Sequence, residues 1–172
     1  MRKHIYLVFL LCLIACKNEK GNTLEKNKEA KEDVFTVLMN VKVLEDDKFQ
    51  LFYIDDSPQG KYKIDERIVI PITGSNEFQI VEFALPHKLL PSKFRIDVGE
   101  KGFETLIEIR EVKLKFNDNL IEINSKVFSR FFQPNIYIKK VDNGYLRTKI
   151  DGRCDPFFVS EALLIKKIKL DL

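Results

Sequence analysis

Tryptophan is absent from this chain of 172 residues, and cysteine, histidine, glycine and proline are scarce, at 3, 2, 7 and 6 residues. Beyond the first sixteen residues only one histidine, His87, and one thiol, Cys154, remain. A single thiol cannot form an internal disulfide, and a single histidine provides neither a paired-histidine metal site nor an obvious Ser-His-Asp arrangement. No glycine-rich phosphate loop is present. We therefore expect a protein that is not an enzyme and that holds no metal or other cofactor.

Charge is also nearly balanced, with 29 basic and 26 acidic residues and a formal net charge of +3. No basic block occurs, so nucleic acid is not an expected partner. What the chain does have is apolar: 45% of its residues are hydrophobic, enough to build a core. Phenylalanine and β-branched residues are abundant, and this composition favours strands over helices.

The first sixteen residues have the order of an export signal. Arg2 and Lys3 supply positive charge, and an apolar run of ten residues follows from Ile5 to Ile14. As a helix this run would be about 15 Å long, half the thickness of a hydrocarbon core of about 30 Å. It is too short to span a bilayer and has the length of the apolar region of a signal peptide.

The run ends in Leu13-Ile14-Ala15-Cys16, which resembles the lipobox of bacterial lipoproteins. The resemblance implies that residues 1–15 are removed and that the thiol of Cys16 receives diacylglycerol. Each buried methylene contributes about 0.8 kcal/mol, so several acyl chains on one residue anchor a protein stably. Lys17 stands where an Asp would signal retention in the inner membrane, which favours the outer membrane. The alternative is an ordinary secretory signal that is cleaved elsewhere.

Residues 16–33 form a polar tether, in which only Leu24 and Ala30 are apolar after Cys16. Such a segment cannot bury enough surface to fold, and we interpret it as a flexible spacer. As a coil it reaches on the order of 20–25 Å. Residues 34–172 then form the single folded domain.

Alternation of apolar and polar residues in this domain predicts an antiparallel β-sandwich, an all-β fold that is jelly-roll-like. The predicted strands cover 48–53, 67–70, 77–83, 93–98, 105–116, 120–123, 136–141, 145–150 and 163–170. Residues 117–119 and 142–144 are expected to be hairpin turns, and 125–132 a helical turn. In segment 77–83 we expect Phe78, Ile80 and Phe83 to face the core after a slip in phase.

Five segments, in order, are similar to the jelly-roll, galactose-binding-like sandwiches that are appended to bacterial membrane glycosyltransferases and found in small lipoproteins. They are Gln50 to Tyr53, Ile70 to Ile72, Phe78 to Pro86, Phe94 to Asp97 and Ile107 to Leu114. The resemblance covers about half the chain, roughly residues 34–116, and includes no catalytic motif. It implies a fold and, more weakly, a carbohydrate ligand, because such folds host many functions.

The candidate ligand-binding residues are Tyr53, Asp55, Arg95 and Asp97. In the absence of tryptophan, an aromatic platform for a sugar would come from a tyrosine (Tyr53, Tyr62, Tyr137 or Tyr145). Arg95 and Asp97 share one face of a strand, about 6.5–7 Å apart. They can hydrogen-bond sugar hydroxyls, or they can belong to a cross-strand charge ladder.

Two further groups carry alternatives. The acidic pairs Asp46-Asp47 and Asp55-Asp56 could supply oxygens to Ca²⁺, although ordinary turn chemistry explains them equally well, and we predict no metal site. The adjacent pairs Phe131-Phe132 and Phe157-Phe158 either expose one ring to a partner or are buried between sheet and loop.

These observations predict a non-catalytic cell-envelope lipoprotein whose β-sandwich binds a glycan or a neighbouring envelope protein. Its expected partners are the membrane, through the lipid on Cys16, and that glycan or protein. One alternative is a glycosidase-like envelope hydrolase that uses two carboxylates. The other is a structural subunit of an envelope complex, which would be distinguished by an exposed apolar patch.

Overall fold

The computed structural model describes residues 33–55, 60–62, 64–86, 89–101 and 104–172. The predicted signal peptide, Cys16 and the tether up to residue 32 lie outside the described residues, as do Asp56 and His87. Within the described part of the chain, no helix combines the length and the apolar character that a bilayer crossing requires.

The described residues form two antiparallel sheets and one α-helix. The first sheet contains β1 (Thr36–Val43), β4 (Gln79–Ala84), β6 (Leu106–Phe116), β7 (Asn119–Asn124), β9 (Ile138–Val141) and β10 (Gly144–Arg147). The second contains β2 (Asp47–Ile54), β3 (Ile68–Ile72), β5 (Lys93–Val98), β8 (Phe132–Pro134) and β11 (Phe157–Ser160). Two short 3-10 helices, Ile64–Glu66 and Phe128–Arg130, and the C-terminal helix α1 (Ala162–Asp171) complete the fold.

Strand order is β4-β1-β6-β10-β9 in the first sheet, where β7 also pairs with β6, and β3-β2-β5-β11-β8 in the second. The apolar residues of alternating segments are buried, as Val37, Met39 and Val41 are in β1. This is the side-chain period of two that a half-buried strand requires. The predicted all-β antiparallel sandwich is confirmed.

A β-bulge in β6 explains a change of phase in the sequence. Pairing with β1 is continuous on both sides of Arg110 but skips Arg110 itself. An extra residue shifts the alternation by one position, so Ile109 and Val112 are both buried although they are three residues apart.

Two sequence predictions about the core are wrong. The segment 163–170 is helical, because Leu164 and Ile168, which are four residues apart and both fully buried, share one helix face. In β4 the buried residues are Val81 and Phe83, whereas Ile80 is 58% exposed. The expected slip in phase does not occur there, because β4 alternates without a break.

A buried ion pair joins the two sheets. Arg147 of β10 donates from Nη1 to Asp47 Oδ2 of β2 over 2.9 Å, and to the Val98 carbonyl over 2.9 Å. Gly99, with a φ of 101°, lies beside the pair. The Asp47 carboxylate also accepts hydrogen bonds from the backbone N–H of Lys48, within β2, and from those of Glu100 and Lys101, which follow β5. Asp47 is therefore committed to a structural contact.

Candidate functional site

A cavity of about 460 Å³ opens on the outer face of the second sheet. Its lining residues are Phe52, Tyr62, Ile64 and Arg95. In β2 the alternate residues Leu51 and Tyr53 point into the core, so Phe52 points outward. The volume lies in the range of small-molecule sites, about 300–1,000 Å³.

Two phenyl rings hold the Arg95 guanidinium at this face. Phe52 lies directly across from Arg95 in β2, and Phe157 lies in β11 on the other side of β5. The guanidinium carbon is 5.4 Å from the centre of the Phe52 ring and 3.6 Å from that of Phe157. A cation over an aromatic face is attracted by the ring quadrupole, so the two rings restrict where the guanidinium can move.

Two carboxylates complete the arrangement around Arg95. Its Nε and Nη2 donate to the two oxygens of Asp97 over 2.5 and 2.7 Å. Nη2 also donates to Asp155 Oδ1 over 3.0 Å. Planar two-point pairing of this kind fixes the orientation of a guanidinium as well as its position.

The charge contacts of Arg95 run along its own strand to Asp97 and to Asp155, which lies just before β11, rather than to a charged residue directly across from it. The residues directly across from Arg95 are Phe52 and Val159, which carry no charge. Arg95 instead pairs along its own strand, with the residue two positions further on.

Burial shifts the protonation equilibria at this site. It raises the pKa of the Asp97 carboxyl above its usual value, an effect that the contact with Arg95 opposes and that nearby Asp155 and Glu100 reinforce. Burial alone would lower the pKa of Arg95, but Asp97 and Asp155 outweigh it and the net pKa is raised. Arg95 thus favours the charged form of Asp97, against the effect of burial.

Tyr62 also lines this cavity. Its hydroxyl oxygen is buried, and none of the described residues hydrogen-bonds to it. Burial raises the pKa of this hydroxyl above its ordinary value, so the group is neutral at physiological pH. A buried hydroxyl without a partner costs about 1–3 kcal/mol.

The structure brings together two of the four predicted site residues, Arg95 and Asp97. Tyr53 lies on the opposite face of the sheet, only 1% exposed, and its hydroxyl donates to Glu66 Oε2 over 3.0 Å. It cannot serve as an exposed sugar platform. Asp55 follows the end of β2 and is not among the residues that line the cavity.

Sequence reasoning missed Phe52 and Asp155. Phe52 could have been found from the sequence, because this apolar residue shares one face of its strand with the polar residues Lys48 and Gln50. Asp155 had none, because it is 60 residues from Arg95 in the chain. For the adjacent pair in β11, Phe158 is fully buried and Phe157 is half-buried against the guanidinium.

Comparisons with family models, with curated proteins and with solved structures find no match for this chain. The site must therefore be interpreted from its own chemistry. Among the described residues, no group of three or more His, Cys, Asp or Glu side chains is placed to hold a metal ion. The groups that the site around Arg95 offers to a ligand are a fixed guanidinium, two carboxylates, a phenol and two phenyl rings.

Proposed function

We propose that this protein is a lipid-anchored module of the bacterial cell envelope that binds a glycan on the outer face of its second sheet without altering it. The observation that carries this proposal is the guanidinium of Arg95, held between Phe52 and Phe157 at the mouth of a cavity. The site is a rigid array of hydrogen-bonding groups with apolar walls.

Sugars suit that array because they combine hydroxyl groups with apolar C–H faces. Carboxylates accept from hydroxyls, the guanidinium donates to them, and phenyl rings pack against C–H groups. The Tyr62 hydroxyl, which is buried without a described partner, could both donate and accept. The resemblance of segments in residues 34–116 to galactose-binding-like sandwiches supports the same ligand class.

The position of Arg95 favours binding of a glycan over its hydrolysis. Glycosidases place two carboxylates about 5–9.5 Å apart, with the scissile bond between them. Here Asp97 and Asp155 both accept from the same nitrogen of Arg95, so the guanidinium occupies the space that a substrate would need. An envelope protein as the ligand remains the alternative within the same proposal, and a glycan screen separates the two.

The Arg95→Lys variant tests the glycan site. A lysine keeps the charge but cannot form the two-point contact or stack flat between two rings, so we expect affinity for the bound glycan to fall about tenfold or more. The measurement is a glycan array with the full chain in detergent, followed by calorimetry with the best glycan.

Val69→Ala is the matched control, since Val69 is exposed on the outer face of the same sheet but does not line the cavity. We expect its affinity to equal that of the unaltered chain. Equal affinity in Arg95→Lys, or no glycan bound above background, would contradict the glycan proposal. Release of a shortened glycan by the unaltered chain would favour the hydrolase instead.

The anchor is tested separately with Cys16→Ser. Without the thiol no thioether to diacylglycerol can form, so we expect the variant to incorporate no palmitate and to retain residues 1–15. Metabolic labelling and mass measurement of the intact chain give both results, with Cys154→Ser as the thiol control. Label that persists in Cys16→Ser would refute the lipobox interpretation.

A further inference from the structure

A second cleft, of about 590 Å³, lies in the first sheet where β6 changes partner. On one edge of β6, β10 pairs with Leu106 and Ile107, and β7 pairs from Glu111 onward. Glu108 and Ile109 lie between them and, among the described strands, pair only with β1. The separation of these two neighbouring strands leaves a recess along this edge of β6.

Three basic side chains from three different elements line this recess. Arg110 comes from the bulge of β6, Lys126 from the turn after β7, and Lys140 from β9. Within the described part of the chain, no carboxylate forms an ion pair with any of them. The Arg110 guanidinium is 3.8 Å from the centre of the Phe78 ring, which holds it beside the cleft.

The acidic residues of the cleft do not balance this charge. Glu108 forms an ion pair with Lys42 and is therefore neutralised from outside the lining. Asp142 is the remaining carboxylate in the lining. Three cations thus face one unpaired anion, and a dianionic ligand would restore the balance.

We propose that this cleft binds a phosphomonoester carried by a small polar molecule. A phosphomonoester has close to two negative charges at neutral pH and three strong acceptor oxygens. Arginine presents a planar fork that matches such an oxyanion, and lysines contribute as point charges. The exposed polar residues Ser125 and Asn143, which also line the cleft, would contact the rest of the molecule.

The shared chemistry could come from a lipid headgroup or from a soluble sugar phosphate. The probes are therefore glycerol 3-phosphate, which represents a headgroup, and glucose 6-phosphate, each compared with glycerol or glucose by calorimetry on the full chain in detergent. We expect binding of at least one ester and none of the unphosphorylated compounds. The tighter ester identifies the source.

The triple variant R110A/K126A/K140A should bind that ester on the order of 100-fold more weakly, because each of the three exposed ion pairs contributes about fivefold. K115A/K166A/K169A removes the same charge from exposed positions outside the cleft and should bind as the unaltered chain does. A thermal melt checks that both variants fold.

Equal losses in the two triple variants would overturn the proposal, because they would show a general effect of net charge. So would equal binding of phosphorylated and unphosphorylated probes, or no binding of either ester at millimolar concentration. Arg95→Lys, in the other sheet, should leave ester binding unchanged. These measurements thus test the phosphomonoester proposal independently of the glycan proposal.

Discussion

Asp47→Ala should lower the free energy of unfolding by about 3–5 kcal/mol, because it leaves the buried charge of Arg147 without its partner. Arg147 is 0% exposed, and its guanidinium lies 2.9 Å from the Asp47 carboxylate. Burial already lowers the pKa of Arg147, and Asp47 is the main group that opposes this shift. Urea denaturation followed by circular dichroism measures the loss.

Asp46→Ala is the control for this prediction. Asp46 is exposed and accepts one hydrogen bond, from the Gly74 N–H over 2.8 Å, so its removal should cost only about 1 kcal/mol. The double variant D47L/R147M replaces both charged side chains with apolar ones of similar volume. It should recover much of the free energy of unfolding that Asp47→Ala loses. Equal destabilisation by Asp46→Ala and Asp47→Ala would show that the ion pair has no special importance.

Phe128→Ala should lower the free energy of unfolding by a similar amount, about 3–5 kcal/mol. The fully buried ring of Phe128 contacts three others, with centroid distances of 4.6 Å to Phe132, 5.5 Å to Tyr145 and 5.2 Å to Phe158. These rings come from both sheets, so a cavity at this point removes contacts that hold the sheets together. The same urea titration reports the change.

Phe131→Ala provides the comparison. The Phe131 ring is only half-buried, so its removal should lower the free energy of unfolding clearly less than removal of the Phe128 ring. Phe128→Leu keeps most of the volume and should be milder than Phe128→Ala. If Phe131→Ala proved the more damaging of the two alanine variants, the aromatic cluster would not be the centre of the core that its contacts indicate.

Much of the fold followed from alternation in the sequence, because burial of one face imposes a period of two on each strand. The hairpins after Phe116 and Val141 were predicted from their turn residues and are present. The C-terminal helix was not predicted. The segment 163–170 is short and rich in Leu, Ile and Lys, and such a pattern fits either element until its packing partner is known.

The site was predicted in part. Arg95 and Asp97 were recognised because charged residues alternate with buried ones along β5. Tyr53 was placed wrongly, although it shares the phase of Phe49 and Leu51, both fully buried, and could have been assigned to the core on that ground. Contacts between residues far apart in the chain leave no local pattern, which is why the pairing of Asp47 with Arg147 could not be predicted.

Gly99 shows how one tight contact restricts which residue a position can hold. A β-carbon at this position would overlap both the Asp47 carboxylate and the Arg147 guanidinium, and the φ of 101° independently disfavours any side chain. No residue other than glycine therefore fits at position 99 while Asp47 and Arg147 are paired. Asp47 and Arg147 should therefore change together, whereas position 99 should remain glycine even if the pair is replaced, because its φ requires it.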